Sequence, residues 1–107
     1  MERIGVVGGS GFVGGSIARE LSKDFEVVVI DLKEPQRPSE NVEFCKCDVR
    51  SFEQVMECLR GVDLVIHSAI IQIPRINEEK RLGYEVNFVG TQNICEAVYR
   101  GKVRLKV

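Results

Sequence analysis

The sequence lacks the features that mark membrane-spanning and nucleic-acid-binding proteins. No apolar stretch approaches the roughly 18 residues that a transmembrane helix needs, so we expect no membrane partner. Basic and acidic side chains number 15 and 16, and the net charge is -1 without a long run of one sign. Nucleic acid is not an expected partner, because phosphate binding needs a concentrated basic face. No signal-peptide layout precedes the first apolar segment, and we expect a cytoplasmic location.

Histidine is scarce, and the cysteines are spaced unfavourably for a metal site. His67 is the one histidine, and Cys45 and Cys47 form a C-x-C pattern among four cysteines. Almost all of these side chains would have to converge to hold zinc, so no metal site is predicted. Cys45 and Cys47 should point to the same face of a strand. We expect reduced thiols that pack as small hydrophobic groups rather than a disulfide framework.

The chain has the size and balance of one globular domain. It contains 107 residues, of which 44% are hydrophobic and 29% are charged. We find no internal repeat, low-complexity tract or composition shift that would mark a second domain. The sequence therefore predicts a single nucleotide-binding domain over residues 1–107, incomplete at its C-terminal end.

Short apolar strands alternate with amphipathic helices. Strands are predicted at Arg3–Gly8, Glu26–Asp31, Val42–Cys47, Asp63–Ser68 and Val103–Val107, and helices at Ser10–Lys23, Ser51–Arg60 and Asn77–Arg100. Ser51 and Gln54 form a predicted capping box. Strands that are apolar on both faces indicate a parallel sheet with helices on both sides. Right-handed crossovers then predict a Rossmann-like, doubly wound α/β fold with three layers (α/β/α) and strand order 3-2-1-4-5.

A glycine-rich turn joins the first strand to the first helix. Gly8, Gly11 and Gly14 give the spacing G-x-x-G-x-x-G. Gly8 permits a tight exit from the strand, Gly11 lets the backbone approach a pyrophosphate, and Gly14 lets the helix pack on the sheet. The free N–H groups near Phe12 and Val13 would then donate to the phosphates. This pattern predicts dinucleotide binding.

An acidic residue ends the second strand at a position that suits this interpretation. Asp31, followed by Leu32, stands where a carboxylate accepts hydrogen bonds from the adenosine ribose, and we assign both residues to the cofactor site. A carboxylate there repels a 2′-phosphate, so NAD is predicted over NADP, although Lys33 lies close by. The alternative is that Asp31 is a solvated carboxylate at a strand end.

Three further motifs resemble the extended short-chain dehydrogenase/reductase family. Asp48-Val49 is similar to its acidic dipeptide, Val65–Ala69 to its V-I-H-x-A motif, and Asn87–Asn93 to its N-x-x-G-T-x-N motif. That family includes sugar-nucleotide epimerases and dehydratases and the 3β-hydroxysteroid dehydrogenase group. The similarity covers the N-terminal nucleotide-binding portion of such proteins.

The resemblance implies a role for each matching position. Asp48 would bind the adenine amino group and Val49 would donate its backbone N–H. The nicotinamide side would be lined by Ser68, Ala69, Ile70 and Asn87. Simpler alternatives remain open: Asp48 as a turn cap, Asn87 as a packing amide and His67 as a satisfied core histidine rather than a catalyst. Gly90 and Thr91 would allow close packing of the helix on the sheet, and the core stripe would comprise Val86, Phe88, Val89 and Val98.

The resemblance implies an NAD(H)-binding portion of an epimerase-, dehydratase- or dehydrogenase-like oxidoreductase that acts on a sugar nucleotide or a related hydroxyl or carbonyl substrate. The family's Tyr-x-x-x-Lys pair is missing, because Tyr84 pairs with Phe88 and Tyr99 with Val103 at that spacing. No catalytic residue is therefore predicted, and the chain should bind cofactor without turnover. The open alternatives are a truncated enzyme, a non-catalytic NAD(P)-binding or redox-sensing module, and one subunit of a split enzyme. The exposed sheet edge predicts a homo-oligomer.

Overall fold

The computed structural model describes residues 2–36, 41–69, 75–101 and 103–106. All strand pairings within these ranges are parallel, and the order across the sheet is β3-β2-β1-β4-β5. The strands are β1 (Arg3–Val7), β2 (Glu26–Asp31), β3 (Val42–Lys46), β4 (Leu64–His67) and β5 (Arg104–Lys106). The predicted doubly wound sheet and its strand order are confirmed.

Helices cover both faces of this sheet. They are α1 (Phe12–Leu21), α2 (Phe52–Cys58), α3 (Arg75–Glu78), α4 (Lys80–Tyr84) and α5 (Thr91–Gly101), with a π-helical turn at Glu85–Gly90 between α4 and α5. None of the helices within the described ranges is long and apolar enough to cross a membrane.

Side chains of the central strands alternate between two hydrophobic cores. Ile4 and Val6 of β1 pack with Ala18 of α1 on one face, whereas Val7 faces the opposite core. That second core contains Val55 of α2 and Ile94 of α5, together with Val28, Ile30, Cys47, Val49, Cys58, Leu59, Val62, Val65, Ala97 and Val98. The three-layer prediction is therefore confirmed, because each face of the sheet is covered by helices of its own.

The helical segment after β4 differs from its prediction. One helix was expected over Asn77–Arg100, but the backbone breaks at Glu79, with φ −128° and ψ 67°. The π-helical turn then widens the spiral before α5. A wider turn shifts the side-chain register, and Phe88 is 66% exposed instead of buried. Phe88 stacks on Tyr84 with ring centroids 5.3 Å apart, so its placement in the core stripe was wrong.

A disulfide corrects the expectation that the cysteines are reduced. Cys45 of β3 is bonded to Cys58, the last residue of α2, and their Cα atoms are 5.9 Å apart. Cys47 and Cys95 are free, the first buried and the second exposed. Cys45 and Cys47 do face the same core, as their spacing predicted. The bond forms because α2 folds back over β3, which the C-x-C spacing alone does not reveal.

Candidate functional site

The glycine turn between β1 and α1 is shaped by its own packing at two positions. Gly8 has φ +82°, which side-chain-bearing residues rarely adopt, and a Cβ there would lie 2.7 Å from the Ala69 nitrogen. A Cβ on Gly14 would lie 2.2 Å from the Gly8 oxygen and 2.7 Å from Ser68 Oγ. Glycine is therefore required at these positions for β1, α1 and the end of β4 to meet.

Gly11 is different, because the fold itself does not require a glycine there. Its backbone is extended, with φ −78° and ψ 177°, and an added Cβ would meet only the Gly8 oxygen at an ordinary 3.4 Å. No side chain caps α1. The N–H groups of Phe12, Val13 and Gly14 have no hydrogen-bond acceptor among the described residues. The first turn of α1 thus presents N–H groups without acceptors, next to the Gly11 backbone, which carries no side chain.

Asp31 joins the end of β2 to this turn. Its Oδ2 accepts a hydrogen bond from the Ser10 N–H at 3.0 Å, and its Oδ1 accepts from the Leu32 N–H at 2.7 Å. The carboxylate therefore lies beside the glycine turn, and its predicted contact with the ribose stays a prediction. Large apolar side chains at the same edge are left exposed: Phe12 by 93%, Val13 by 57% and Leu32 by 51%.

Asp48 lies in the turn after β3 and is held by Arg50. The Arg50 guanidinium donates to Asp48 Oδ2 from Nη2 at 2.7 Å and to Oδ1 from Nε at 2.9 Å. This side-chain contact lowers the pKa of Asp48 and raises that of Arg50. Arg50 Nη1 also donates to Glu85 Oε2 at 3.1 Å, at the start of the π-helical turn. Hydrogen bonds from Arg81 and Arg50 lower the pKa of Glu85.

Val49 is buried, and residues of the helical segment after β4 hold it in place. Asn93 Nδ2 of α5 donates to the Val49 carbonyl oxygen at 2.9 Å. A Cβ on Gly90 would lie 2.6 Å from Val49 Cγ2, so this glycine makes room for the valine. The expectation that Gly90 permits close packing is supported by this geometry, and the packed element is the turn after β3.

The end of β4 meets both β1 and α5. Ser68 donates from its backbone N–H and from its hydroxyl to the Val7 carbonyl oxygen, at 2.8 and 2.7 Å. Ala69 lies against Gly8. Asn87 lies half-buried in the π-helical turn. Ile70, the remaining predicted contact, lies outside the described residues.

His67 is buried, but it is not fully satisfied. Its Nε2 lies 2.8 Å from Thr91 Oγ1, whereas Nδ1 is buried without a partner among the described residues. Burial lowers the pKa of the imidazole. The prediction of a core histidine is right about its place, and wrong about its hydrogen bonding at one nitrogen.

The predicted residues thus form two groups at the carboxyl ends of the strands. Gly8, Gly14, Asp31, Ser68 and Ala69 surround the glycine turn, while Asp48 and Val49 lie in the turn after β3. Sequence reasoning did not find Arg50, Glu85 or the role of Asn93. Asn93 was visible as the last residue of the N-x-x-G-T-x-N motif, but its partner follows only from folding. Within the described ranges, no cluster of three or more His, Cys, Asp or Glu side chains could hold a metal ion.

Comparison with known proteins places this geometry in a family. The model of the 3-beta hydroxysteroid dehydrogenase/isomerase family matches residues 5–107. A bovine (Bos taurus) sterol-4-alpha-carboxylate 3-dehydrogenase, decarboxylating, is 33% identical over 96 residues, which are 89% of this chain and 26% of the relative. The 3 beta-hydroxysteroid dehydrogenase/Delta 5-->4-isomerase of Monkeypox virus is 35% identical over 100 residues, 86% of this chain and 29% of the relative.

Solved structures agree on the fold. A Thermus thermophilus UDP-glucose 4-epimerase in complex with NAD is 32% identical, with a TM-score of 0.85 over 96% of this chain and 36% of the epimerase. A uronate dehydrogenase from Agrobacterium tumefaciens, also complexed with NAD, is 25% identical, with a TM-score of 0.82 over 98% of this chain and 39% of that enzyme.

The chain spans 26% and 29% of the length of the two curated relatives described above. Its fold is that of the NAD-dependent epimerase and dehydrogenase oxidoreductases, and the match corresponds to their N-terminal portion. The chain belongs to the 3-beta hydroxysteroid dehydrogenase/isomerase family, within the extended short-chain dehydrogenases/reductases.

Proposed function

We propose that these 107 residues bind NAD(H), with the pyrophosphate at the N-terminal end of α1. The observation that carries the proposal is the conjunction of free N–H groups at Phe12, Val13 and Gly14 with open space in front of Gly11. A glycine that the protein's own packing does not need is best explained by a ligand that needs the room. Helix N-terminal N–H groups are suited to phosphate oxygens.

The other site residues take roles around this anchor. Asp31 and Leu32 border the adenosine ribose, and the Asp48 carboxylate and the Val49 N–H face the adenine. Ser68, Ala69 and Asn87 line the nicotinamide side. The support is positional, since ligands of open α/β sheets bind beyond the carboxyl ends of the strands. When bound, the nicotinamide supplies hydride chemistry, while these residues bind and orient it.

Gly11→Ala provides the sharpest test. The added methyl group causes neither backbone strain nor a clash in the free protein, so the variant should unfold at the same denaturant concentration as the parent. It should weaken NAD binding at least about tenfold in isothermal titration calorimetry, because the methyl group occupies space needed by the phosphates.

Gly15→Ala is the matched control, because the same change within α1 meets only Gly9 O at 3.4 Å and Arg19 Nη1 at 3.5 Å. Its affinity for NAD should equal that of the parent. If Gly11→Ala binds NAD as tightly as Gly15→Ala, or if the parent shows no heat of binding, the proposal is wrong.

We further propose that NAD is preferred over NADP because of the charge on Asp31. Asp31→Asn keeps an oxygen for the surrounding N–H groups but removes the charge that repels a 2′-phosphate. The ratio of NADP to NAD dissociation constants should fall by about tenfold in this variant. Asp24→Asn, at an exposed position in the turn before β2, should leave the ratio unchanged. Equal ratios in both variants would contradict the assignment of Asp31.

For the whole protein we propose an NAD-dependent oxidoreductase that acts on a hydroxyl or carbonyl group. A sugar nucleotide is the substrate class supported by the similarity to UDP-glucose 4-epimerase. The 107 residues alone should bind cofactor without turnover, since neither tyrosine is paired with a lysine at the family's spacing. Purified chain given NAD and UDP-glucose should therefore form neither NADH nor an epimerised UDP-sugar. Self-association through the edge of the sheet stays a prediction, which light scattering of the purified chain can test.

A further inference from the structure

We propose that Asn93 and Arg50 are positioning residues that set the preference of the Asp48–Ser51 turn for adenine. The inference rests on the proposed cofactor binding and extends it to two residues that act through their contacts with Asp48 and Val49. Both lie outside the Asp48–Val49 dipeptide. Arg50 follows it directly in the sequence, whereas Asn93 belongs to α5.

The backbone donors of the Asp48–Ser51 turn are nearly all used. The Asp48 N–H donates to Gln54 Oε1 at 2.7 Å, the Arg50 N–H to Asp48 Oδ1 at 3.0 Å, and the Ser51 N–H to the Asp48 carbonyl at 2.9 Å. The Val49 N–H alone has no acceptor within the described ranges. Buried donors are normally satisfied, so this one is available to an acceptor that a ligand supplies.

Asn93 and Gly90 determine where that donor points. The hydrogen bond from Asn93 Nδ2 fixes the Val49 carbonyl, and the contact with Gly90 fixes the Val49 side chain. The Val49 N–H shares a peptide plane with the Asp48 carbonyl, which accepts from the Ser51 N–H. Because the Val49 carbonyl and side chain are also held, the direction of this N–H is fixed. The long helical segment after β4 thus controls a donor that lies in another part of the sequence.

Arg50 holds the acceptor of the turn, the Asp48 carboxylate, in a fixed orientation. Its guanidinium grips both oxygens of Asp48, and its remaining nitrogen is anchored to Glu85 at 3.1 Å. The Asp48 side chain is 24% exposed, so part of its carboxylate remains accessible. A carboxylate has about four lone-pair sites. Asp48 Oδ1 already accepts from the Arg50 N–H and Nε, so the site left for an external donor is on Oδ2, which accepts from Nη2 at 2.7 Å and more distantly from Nε at 3.2 Å.

A fixed acceptor beside a fixed donor reads one edge of a purine. Adenine offers an amino donor to Asp48 and a ring nitrogen acceptor to the Val49 N–H, whereas hypoxanthine offers an oxygen and a ring N–H at the same places. Each contact with hypoxanthine is then a mismatch. Loss of either positioning residue should loosen the pair and reduce the discrimination between the two bases.

The experiment compares NAD with nicotinamide hypoxanthine dinucleotide by calorimetry on the full chain. The parent should prefer NAD by at least about tenfold. In Asn93→Leu, which removes the side-chain donor at similar volume, this ratio should fall several-fold toward one. Arg50→Gln should also lower this ratio of affinities. Because Arg50 is partly exposed, this variant still tests the inference if Asn93→Leu does not fold.

Ile94→Val is the matched control, since Ile94 is a fully buried neighbour of Asn93 in α5 whose side chain has no hydrogen-bond donor for the turn. Loss of stability reduces the binding-competent fraction equally for both dinucleotides, so this variant should keep the parent ratio. The inference is overturned if the folded Asn93 and Arg50 variants keep that ratio, or if the parent binds NAD but does not discriminate between the bases. A parent that binds neither dinucleotide would instead overturn the proposed function as well.

Discussion

Individual residues of this site serve either the fold or the ligand, and the structure separates the two groups. Gly8 and Gly14 are required by backbone conformation and by contacts with Ala69 and Ser68, whereas Gly11 has open space before it. The sequence motif predicted these separate roles, with Gly11 alone expected to make room for the pyrophosphate. Substitutions at Gly8 or Gly14 would therefore confuse folding with binding, and only Gly11 reports on binding alone.

His67 provides a second prediction at this scale, concerning pH. Its imidazole is 8% exposed and lacks a partner at Nδ1, so the folded protein resists protonation and its pKa lies below 6.5. The unfolded chain takes up the proton first, which favours unfolding. The stabilisation is complete above about pH 6.5 and is lost as the pH falls below it, with a slope of at most about 1.4 kcal/mol per pH unit.

Urea unfolding of the parent and of His67→Gln over this pH range checks the expectation. His67 is the only histidine in the chain, so the substitution removes every imidazole. Gln retains a polar group that reaches toward Thr91, and the variant should show a flatter dependence than the parent between about pH 5.5 and pH 7. Identical slopes for the two proteins would show that the burial of His67 does not control this dependence.

At the scale of secondary-structure elements, the strands were predicted well and the last helical segment was not. Continuous apolar runs such as Glu26–Asp31 mark buried parallel strands, and those bounds agree with β2 to the residue. Helical periodicity near the C-terminal end concealed a break at Glu79 and the π-helical turn at Glu85–Gly90. Hydrophobic periodicity reflects the average number of residues per helical turn over a segment, so it is insensitive to a single widened turn.

The site follows the same division between local and long-range information. Asp31 and the glycine turn were predictable because strand ends and helix starts are local features. Arg50 and Asn93 were not assigned, because the contacts Arg50–Glu85 and Asn93–Val49 form only when the helical segment after β4 packs against the turn after β3. The π-helical turn is where these contacts converge, with Glu85 at its start and Gly90 at its end. Such turns frequently occur at functional sites.

For the molecule as a whole, the disulfide is the main feature that the sequence did not reveal. Cys45 and Cys58 are 13 residues apart and enclose the Asp48–Ser51 turn. Closing a loop of this size lowers the entropy of the unfolded chain and should stabilise the fold by about 3 kcal/mol. A small domain has a total stability of about 5–15 kcal/mol, so the contribution would be substantial.

Reduction tests this contribution, because it leaves every side chain in place. The free energy of unfolding in urea should be about 3 kcal/mol lower in a phosphine reductant than without it. Unfolded, unreduced chain should expose two thiols, those of Cys47 and Cys95. In the folded chain only Cys95 should react quickly, because burial raises the pKa of Cys47 to about 11 and keeps it in the unreactive thiol form.

Cys95→Ser supplies the control, since it removes an exposed free thiol. Its free energy of unfolding should equal that of the parent, both with and without the reductant. Equal stability with and without reductant would mean that α2 and β3 hold the turn by packing alone. A larger loss in reductant, accompanied by weaker NAD binding, would instead mean that the bond also orders the Asp48–Ser51 turn. The two cases are separable because calorimetry measures the binding of NAD, whose adenine contacts the Asp48–Ser51 turn. Urea unfolding measures the free energy of unfolding of the whole chain.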